Sequence, residues 1–136
     1  MAAREQSTAD EFAKEFPVKY KYGSYESLAQ NPEVDIIYIA TPHGFHHEHT
    51  MLCLKYKKAV LCEKAFAMNT WQVTEMITLA KAQGVFLMEA FWTKFLPHYQ
   101  LVKQMIANGN KGSCARITAP VWRSSFSRCR INNCRV

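Results

Sequence analysis

The sequence predicts an α/β protein organised around a doubly wound parallel β-sheet. Three short apolar runs, at residues 36–40, 59–62 and 85–88, each end abruptly in polar residues. Such runs are typical of strands that are buried on both faces of a parallel sheet. Segments of helical length separate the runs, so the chain alternates strand, helix and strand. We therefore expect any ligand to bind beyond the carboxyl ends of the strands.

The first thirty residues predict two helices and one short strand. Residues 7–10 resemble a capping box, and apolar residues then recur at helical spacing until Pro17 ends the helix. The alternation over residues 19–22 predicts a short edge strand. Ser24 is placed to cap a helical turn ahead of the first apolar run.

Two more helices follow the second and third apolar runs. One begins after Asn69 or Thr70 and ends at Gly84, which fits the left-handed position just past a helix. Pro97 begins the other, because proline is favoured in the first turn of a helix. The buried faces of these two helices are predicted to comprise Val73, Met76, Ile77, Ala80, Leu101, Val102, Met105 and Ile106.

The size and charge of the chain limit the classes of function. With 136 residues there is room for one domain and a modest core. The net charge of +6 arises from residues 111–136, which contain six basic and no acidic residues. The rest of the chain has no basic stripe, which predicts no nucleic-acid partner. The absence of a long apolar run and of a signal sequence predicts no membrane partner and a cytoplasmic location.

The five cysteines are not spaced as metal ligands. Cys53 and Cys62 lie in apolar segments, which favours buried, reduced thiols. The other three lie in the basic C-terminal segment: Cys114, Cys129 and Cys134. Periodicity is lost from Pro120 onward, so residues 120–136 are predicted to be a disordered basic tail. A nucleic-acid or metal module built on this tail is a rival interpretation.

The strand ends carry the residues with the most evident chemistry. Thr41-Pro42-His43 follows the first apolar run, and Glu63-Lys64 follows the second. A lysine at this place directs its ammonium into the ligand crevice, where it can donate hydrogen bonds to a substrate hydroxyl or carbonyl. Glu63 would pair with that ammonium or with the backbone of the crevice. The alternative is a solvated Glu-Lys pair in a loop.

Four histidines and one tryptophan are further candidates. His43, His46, His47 and His49 invite a zinc interpretation, but they lack the His-Glu-x-x-His order and a carboxylate at fixed spacing. A structural or cofactor-lining role is therefore favoured. Trp92 lies in an aromatic segment after the third run. It is predicted either to line a substrate pocket or to fill a core that joins two domains.

Three motifs, in this order, resemble one oxidoreductase family. They are Ala40-Thr41-Pro42-His43-x-x-His46, then Glu63-Lys64, then FLMEAFWTKF at residues 86–95. They resemble the Gfo/Idh/MocA oxidoreductases, and the resemblance covers about residues 2–119. It implies a Rossmann-like sheet, NADP as cofactor, and removal of a hydride from a secondary alcohol carbon of a dihydrodiol or sugar. It also implies that Lys64 lies between nicotinamide and substrate, that Trp92 lines the substrate pocket, and that Arg4 binds the NADP 2′-phosphate.

The predicted site combines the strand ends with this resemblance. Lys64 is its catalytic residue and Trp92 its substrate-binding residue. The residues predicted to contact the cofactor are Arg4, Thr41, Pro42, His43, His46, Glu63 and Lys64. The predicted partner is a small-molecule substrate, and a homodimer is allowed for.

The chain departs from the family pattern in its nucleotide-binding part and again near Pro120. Ala65 stands where the family has the proline of a Glu-Lys-Pro motif, and no Gly-x-Gly-x-x-Gly is present. The sheet is therefore predicted to lack its first strand and glycine turn. We expect residues 1–112 to form a partial dinucleotide-binding domain, 113–119 to begin a second α+β domain, and 120–136 to form the tail. Catalysis should then be impaired, and the alternative function is a non-catalytic form that associates with full-length subunits.

Overall fold

The computed structural model describes residues 1–109 of the chain. Its elements are α1 (Gln6–Glu15), α2 (Tyr25–Gln30), β1 (Ile36–Ile39), a 3-10 turn (His43–Phe45), α3 (His46–Lys55), β2 (Ala59–Cys62), α4 (Thr70–Gln83), β3 (Leu87–Glu89), a second 3-10 turn (Trp92–Phe95) and α5 (Pro97–Ala107). No helix in this part of the chain is both long and apolar enough to cross a membrane.

The chain divides into two compact units, Met1–Phe91 and a second unit that begins at Trp92. The predicted domain boundary at residue 112 stays a prediction. The strand expected at 113–119, the tail at 120–136 and the three C-terminal cysteines lie outside the described residues.

The three strands form one parallel sheet in the order β1-β2-β3, which confirms the predicted α/β class. Val60 in the central strand pairs with Ile37 on one side and with Leu87 on the other. Because the strands are neighbours in chain order, right-handed crossovers place α3 and α4 on the same face of the sheet. The two helices accordingly pack against each other, and Leu54 and Val60 are fully buried in the core between α3 and the sheet.

The expectation that the strands are buried on both faces is wrong for β1. Ile37 and Ile39 are only 7% and 4% exposed, whereas Ile36 and Tyr38 are 54% and 56% exposed. The reason is that both crossover helices lie on one face of the sheet. Within residues 1–109, the second face of β1 is therefore left open to solvent.

The N-terminal predictions are confirmed only in part. The expected strand at residues 19–22 is reduced to one parallel bridge between Ala2 and Tyr22. The first helix starts one residue before the predicted capping box, and no side chain caps it. Gly23 allows this segment to pass close to α1, because a Cβ atom there would lie 2.7 Å from the backbone nitrogen of Gln6. Ser24 caps α2 as predicted, accepting a hydrogen bond from the backbone N–H of Ser27.

The predicted boundaries of α4 are confirmed. The Asn69 side chain accepts a hydrogen bond from the backbone N–H of Gln72 at 2.9 Å, and Gly84 ends the helix with a φ of 64°. Of the predicted apolar face of this helix, Met76 and Ala80 are buried, while Ile77 is 39% exposed.

Helix α5 begins at Pro97 as predicted, but the prediction of its buried face is wrong. The four apolar residues expected to be buried, Leu101, Val102, Met105 and Ile106, are each between 45% and 57% exposed. The described part of the second unit consists of one 3-10 turn and this single helix. Two such short elements contain too little apolar surface to enclose a helical face.

Candidate functional site

The polar turns after β1 and β2 lie at the same edge of the sheet. Ile39 pairs with Cys62 in the parallel register, so the chain leaves both strands side by side. Thr41, Pro42 and His43 follow the first strand, and Glu63 and Lys64 follow the second. The structure thus brings together two of the predicted groups of site residues at the edge where ligands bind in such sheets.

The turn that carries Lys64 is fixed at three points along its backbone. The backbone N–H of Lys64 donates to the Glu63 carboxylate at 3.1 Å, and that of Phe66 donates to Glu89 Oε1 at 2.9 Å. Between them, the Ala65 carbonyl oxygen lies 2.7 Å from Nδ1 of His46. The peptide bond joining Lys64 to Ala65 is cis. The backbone is therefore held on both sides of Lys64, whose own side chain is exposed.

Local hydrogen bonds favour the ionised form of the Glu63 carboxylate. The Tyr38 hydroxyl donates to it, and this bond, together with the one from the Lys64 backbone, lowers the pKa of Glu63 below its ordinary value. The same contact raises the pKa of Tyr38. Of the two predicted roles for Glu63, the contact with the backbone of the crevice is the one observed. No ion pair between Glu63 and Lys64 is formed in the described part of the chain.

Three of the four histidines have hydrogen-bond partners within residues 1–109, and two of these three contact Thr41. His47 bonds to Glu75 on α4 at 2.9 Å, and His49 Nδ1 lies 3.0 Å from the Thr41 hydroxyl. Burial lowers the pKa of His49, which favours its neutral form at pH 7. His43 is exposed at the edge of the sheet. Among residues 1–109, metal-binding side chains do not gather in groups of three or more.

His46 differs from its neighbours because its side chain is completely buried. Its two ring nitrogens each lie 2.7 Å from a backbone carbonyl oxygen, one of Thr41 and one of Ala65. A direct contact between this ring and a cofactor would require these bonds to break. The predicted cofactor contact of His46 therefore stays a prediction, and the ring lies beneath the two turns.

Arg4 lies beside the turn after β1. A cavity of about 290 Å³ is lined by Arg4, Tyr25, Thr41, Pro42, Phe45, Glu48 and His49. The rings of Phe45 and His49 are stacked within this wall, with centroids 5.7 Å apart and planes inclined by 14°. The cavity therefore offers aromatic side chains, one guanidinium group from Arg4 and one carboxylate from Glu48. The guanidinium is the group in this wall that can pair with an anionic ligand.

Sequence reasoning missed two residues of this site. Glu89 anchors the backbone of Phe66, and Tyr38 hydrogen-bonds to Glu63. The position of Glu89 at the end of an apolar run was the available signal. Tyr38 carried no such signal, because it lies inside an apolar run. Trp92 belongs to the second unit, where it begins the 3-10 turn and is 63% exposed.

A parallel α/β sheet with polar turns at the carboxyl ends of adjacent strands is typical of Rossmann-like nucleotide-binding domains, and other doubly wound folds share it. Comparison with known proteins gives the family. Residues 1–91 match the model described as "oxidoreductase family, NAD-binding Rossmann fold", and the chain belongs to this Gfo/Idh/MocA family of oxidoreductases.

Similar proteins with curated names agree with this family. The chain is 46% identical over 112 residues to trans-1,2-dihydrobenzene-1,2-diol dehydrogenase of Mus musculus, and 45% identical over the same length to that of Homo sapiens. Each match covers 82% of this chain and 34% of the relative. The chain thus spans about a third of the length of the curated relatives that it matches.

Solved structures of other proteins have a similar fold. An NAD-binding oxidoreductase from Klebsiella pneumoniae has a TM-score of 0.74 and 34% identity, covering 82% of this chain and 30% of that one. A 3-ketoreductase from Actinomadura kijaniata, solved with TDP-benzene and NADP, has a TM-score of 0.71 and 28% identity, covering 79% of this chain and 34% of that one.

Proposed function

We propose that this chain binds NADP at the edge where β1 and β2 end, and that it supplies the lysine of a dehydrogenase acting on CH–OH groups of dihydrodiols or sugars. The observation that carries the proposal is the turn after β2. Its backbone is hydrogen-bonded on both sides of Lys64, while the lysine side chain remains exposed. The names of the dihydrodiol dehydrogenases support this substrate class.

Lys64 has the chemistry that oxidation of an alcohol needs. A bound NADP would supply the acceptor for the hydride that leaves the alcohol carbon, and water would take the proton that leaves the hydroxyl. The Lys64 ammonium would donate a hydrogen bond to the substrate oxygen and stabilise the negative charge that develops on it as the proton leaves. Glu63, which is ionised and bonded to Tyr38, holds the start of the same turn. Trp92 is the proposed aromatic wall for the substrate.

The residues around Arg4 fit the adenosine end of NADP. The Arg4 guanidinium would pair with the 2′-phosphate, and Thr41, Pro42 and His43 would contact the cofactor along the first turn. The stacked rings of Phe45 and His49 offer a surface for the adenine. The 3-ketoreductase from Actinomadura kijaniata, whose structure contains NADP, supports this choice of cofactor.

Fragments of the cofactor test the role of Arg4. We expect adenosine 2′,5′-bisphosphate to shift the backbone amide signals of Arg4 and Thr41, and to bind about tenfold more tightly than adenosine 5′-monophosphate. Arg4→Gln should remove this preference, whereas Lys14→Gln, which changes an exposed cation on α1, should keep it. Equal affinity for the two nucleotides in the unaltered protein would contradict the proposal.

The nicotinamide end needs a separate measurement at Lys64. We expect oxidised NADP to move the side-chain ¹³Cε signal of Lys64, and we expect 2′-phospho-ADP-ribose, which lacks the nicotinamide, to leave it in place. If both ligands shift the amides of the first turn and neither moves the Lys64 signal, the lysine does not face the cofactor.

A second candidate function is non-catalytic association with longer subunits of the same family. The exposed side chains of Ile36 and Tyr38 on β1 favour it, because they form an apolar surface at the edge of the sheet. Mixing the purified chain with an intact dihydrodiol dehydrogenase and measuring mass by sedimentation tests this candidate. Separate sedimentation of the two proteins at micromolar concentration would rule against it.

A further inference from the structure

The ring of His46 joins the two turns that form the proposed site. The histidine begins α3, its side chain is 0% exposed, and it lies between the ends of β1 and β2. Nε2 is 2.7 Å from the carbonyl oxygen of Thr41, and Nδ1 is 2.7 Å from the carbonyl oxygen of Ala65. One ring therefore contacts the backbone of both turns.

The geometry of the ring relates the two turns to each other. A carbonyl oxygen can only accept a hydrogen bond, so a ring nitrogen bonds to it by donating its proton. The imidazole ring is a rigid plane, so its two nitrogens keep the carbonyl oxygens of Thr41 and Ala65 at a fixed separation.

Several charged and titratable groups surround the ring. The Glu63 carboxylate is near enough for His46 to contribute to its lowered pKa. Glu89 on β3 holds the next residue of the same turn, and the Cys62 thiol is buried at the end of β2. His43 meets His46 edge to face at 5.5 Å, and the charge of His46 is one of the causes that lower the pKa of His49.

We propose that His46 is a positioning residue that fixes the turn of Lys64 relative to Thr41 and Pro42. This role rests on the proposed function, since the spacing matters only if both turns contact one cofactor. His46 acts through the carbonyl groups of Thr41 and Ala65 and does not itself touch the ligand.

The first test uses the unaltered protein labelled with ¹⁵N in its histidine rings. We expect the ring nitrogens of His46 to show a coupling through a hydrogen bond to the carbonyl carbon of Thr41 or of Ala65. No coupling to either carbonyl carbon would overturn the proposal. This measurement needs no variant and is therefore independent of whether a variant folds.

The second test compares His46→Gln with His47→Gln, a matched change at the next residue of the same helix. A glutamine carries both of its donor hydrogens on one nitrogen, so it cannot place a nitrogen at each of the two carbonyl oxygens. We expect His46→Gln to speed hydrogen exchange at the Phe66 amide about tenfold and to move the Lys64 ¹³Cε signal. His47→Gln should leave both unchanged. An unmoved Lys64 signal in folded His46→Gln would overturn the positioning role.

Failure of this proposal can be told apart from failure of the proposed function. If the nucleotide fragments bind as expected while replacement of His46 leaves the Lys64 signal unmoved, the positioning role is wrong and the cofactor site stands. If replacement of His46 moves the Lys64 signal while the fragments do not bind, the link between the turns stands and NADP binding is wrong.

Discussion

Cys53 and Cys62 are two side chains whose chemistry is changed by their surroundings. Both thiols are buried in the core beneath the sheet, and burial raises the pKa of each to about 11. Only the thiolate is a strong nucleophile. These two cysteines should therefore behave as small apolar residues at neutral pH.

Alkylation measures this effect directly. With iodoacetamide at pH 8, we expect Cys53 and Cys62 to remain unmodified in the folded protein and to react fully in urea, because folding both buries the thiols and keeps them protonated. Peptide mass spectrometry assigns each site. Rapid labelling of either residue without denaturant would show that the core opens around it.

The raised thiol pKa values also give a dependence of stability on pH. In the unfolded chain these thiols lose protons near their ordinary pKa of 9.0, whereas in the folded chain they hold them up to about pH 11. The unfolded state therefore binds fewer protons between these values, and the free energy of unfolding should fall as pH rises from about 9 to 11.

Urea unfolding at several alkaline pH values tests this dependence. The control is the double variant Cys53→Ala/Cys62→Ala. Its free energy of unfolding should fall less steeply with pH, because the contribution of the two thiols is absent. Identical slopes for the two proteins would contradict the expectation.

At the scale of elements, α4 shows which local signals are reliable. Asn69 and Gly84, which begin and end the helix, were both evident in the sequence, because a cap depends on residues within one turn of it. Which face of a helix is buried depends on residues that are distant in the sequence. α5 has the same apolar spacing as a buried helix, yet its predicted face is exposed within the described residues.

The cap at Asn69 can be tested by substitution. Asn69→Ala should lower the free energy of unfolding by about 1 kcal/mol, because the backbone N–H of Gln72 loses its partner. Asn69→Asp keeps an acceptor oxygen and should cost no more than a few tenths of a kcal/mol. Urea denaturation of the three proteins provides the measurement. A loss of the same size in both variants would mean that the cap bond does not stabilise α4.

The exposed face of β1 predicts self-association. Ile36→Thr keeps a β-branched side chain but removes apolar surface, so it should weaken concentration-dependent association. Ile77→Thr, at a partly exposed position on α4, is the matched control and should leave association unchanged. Sedimentation velocity over a range of concentrations compares the two. Equal association of both variants would place the contact elsewhere.

At the scale of the whole molecule, the described core belongs to the first unit. Leu54, Met76 and Val60 are fully buried there, whereas the apolar residues of α5 in the second unit are exposed. Stability should therefore depend on the packing of α3 and α4 against the sheet.

Substitution of one leucine in each unit compares the contributions of the two units to the free energy of unfolding. Leu54→Ala should lower the free energy of unfolding by about 2–5 kcal/mol, because it leaves a cavity in the core. Leu101→Ala, at a position that is 57% exposed on α5, should change it by no more than about 0.5 kcal/mol. Thermal or urea unfolding of the full chain measures both. A large loss from Leu101→Ala would show that α5 is buried in solution.

The sequence by itself determined where the three strands of the sheet lie, most helix boundaries and the polar residues at the strand ends. These depend on the order of neighbouring residues, through periodicity and caps, and a single chain contains that information. The positions of Thr41 and Lys64 at the same edge followed from the parallel order of the strands.

Only the tertiary structure decided which faces are covered and which side chains hold the site. Whether Ile36 is buried depends on where both crossover helices pack, and the sequence near Ile36 does not contain that information. The bond from His46 to Ala65 joins residues 19 apart, and the bond from Phe66 to Glu89 joins residues 23 apart. Such contacts form only when the sheet has assembled, because the parallel strands bring distant turns together at one edge.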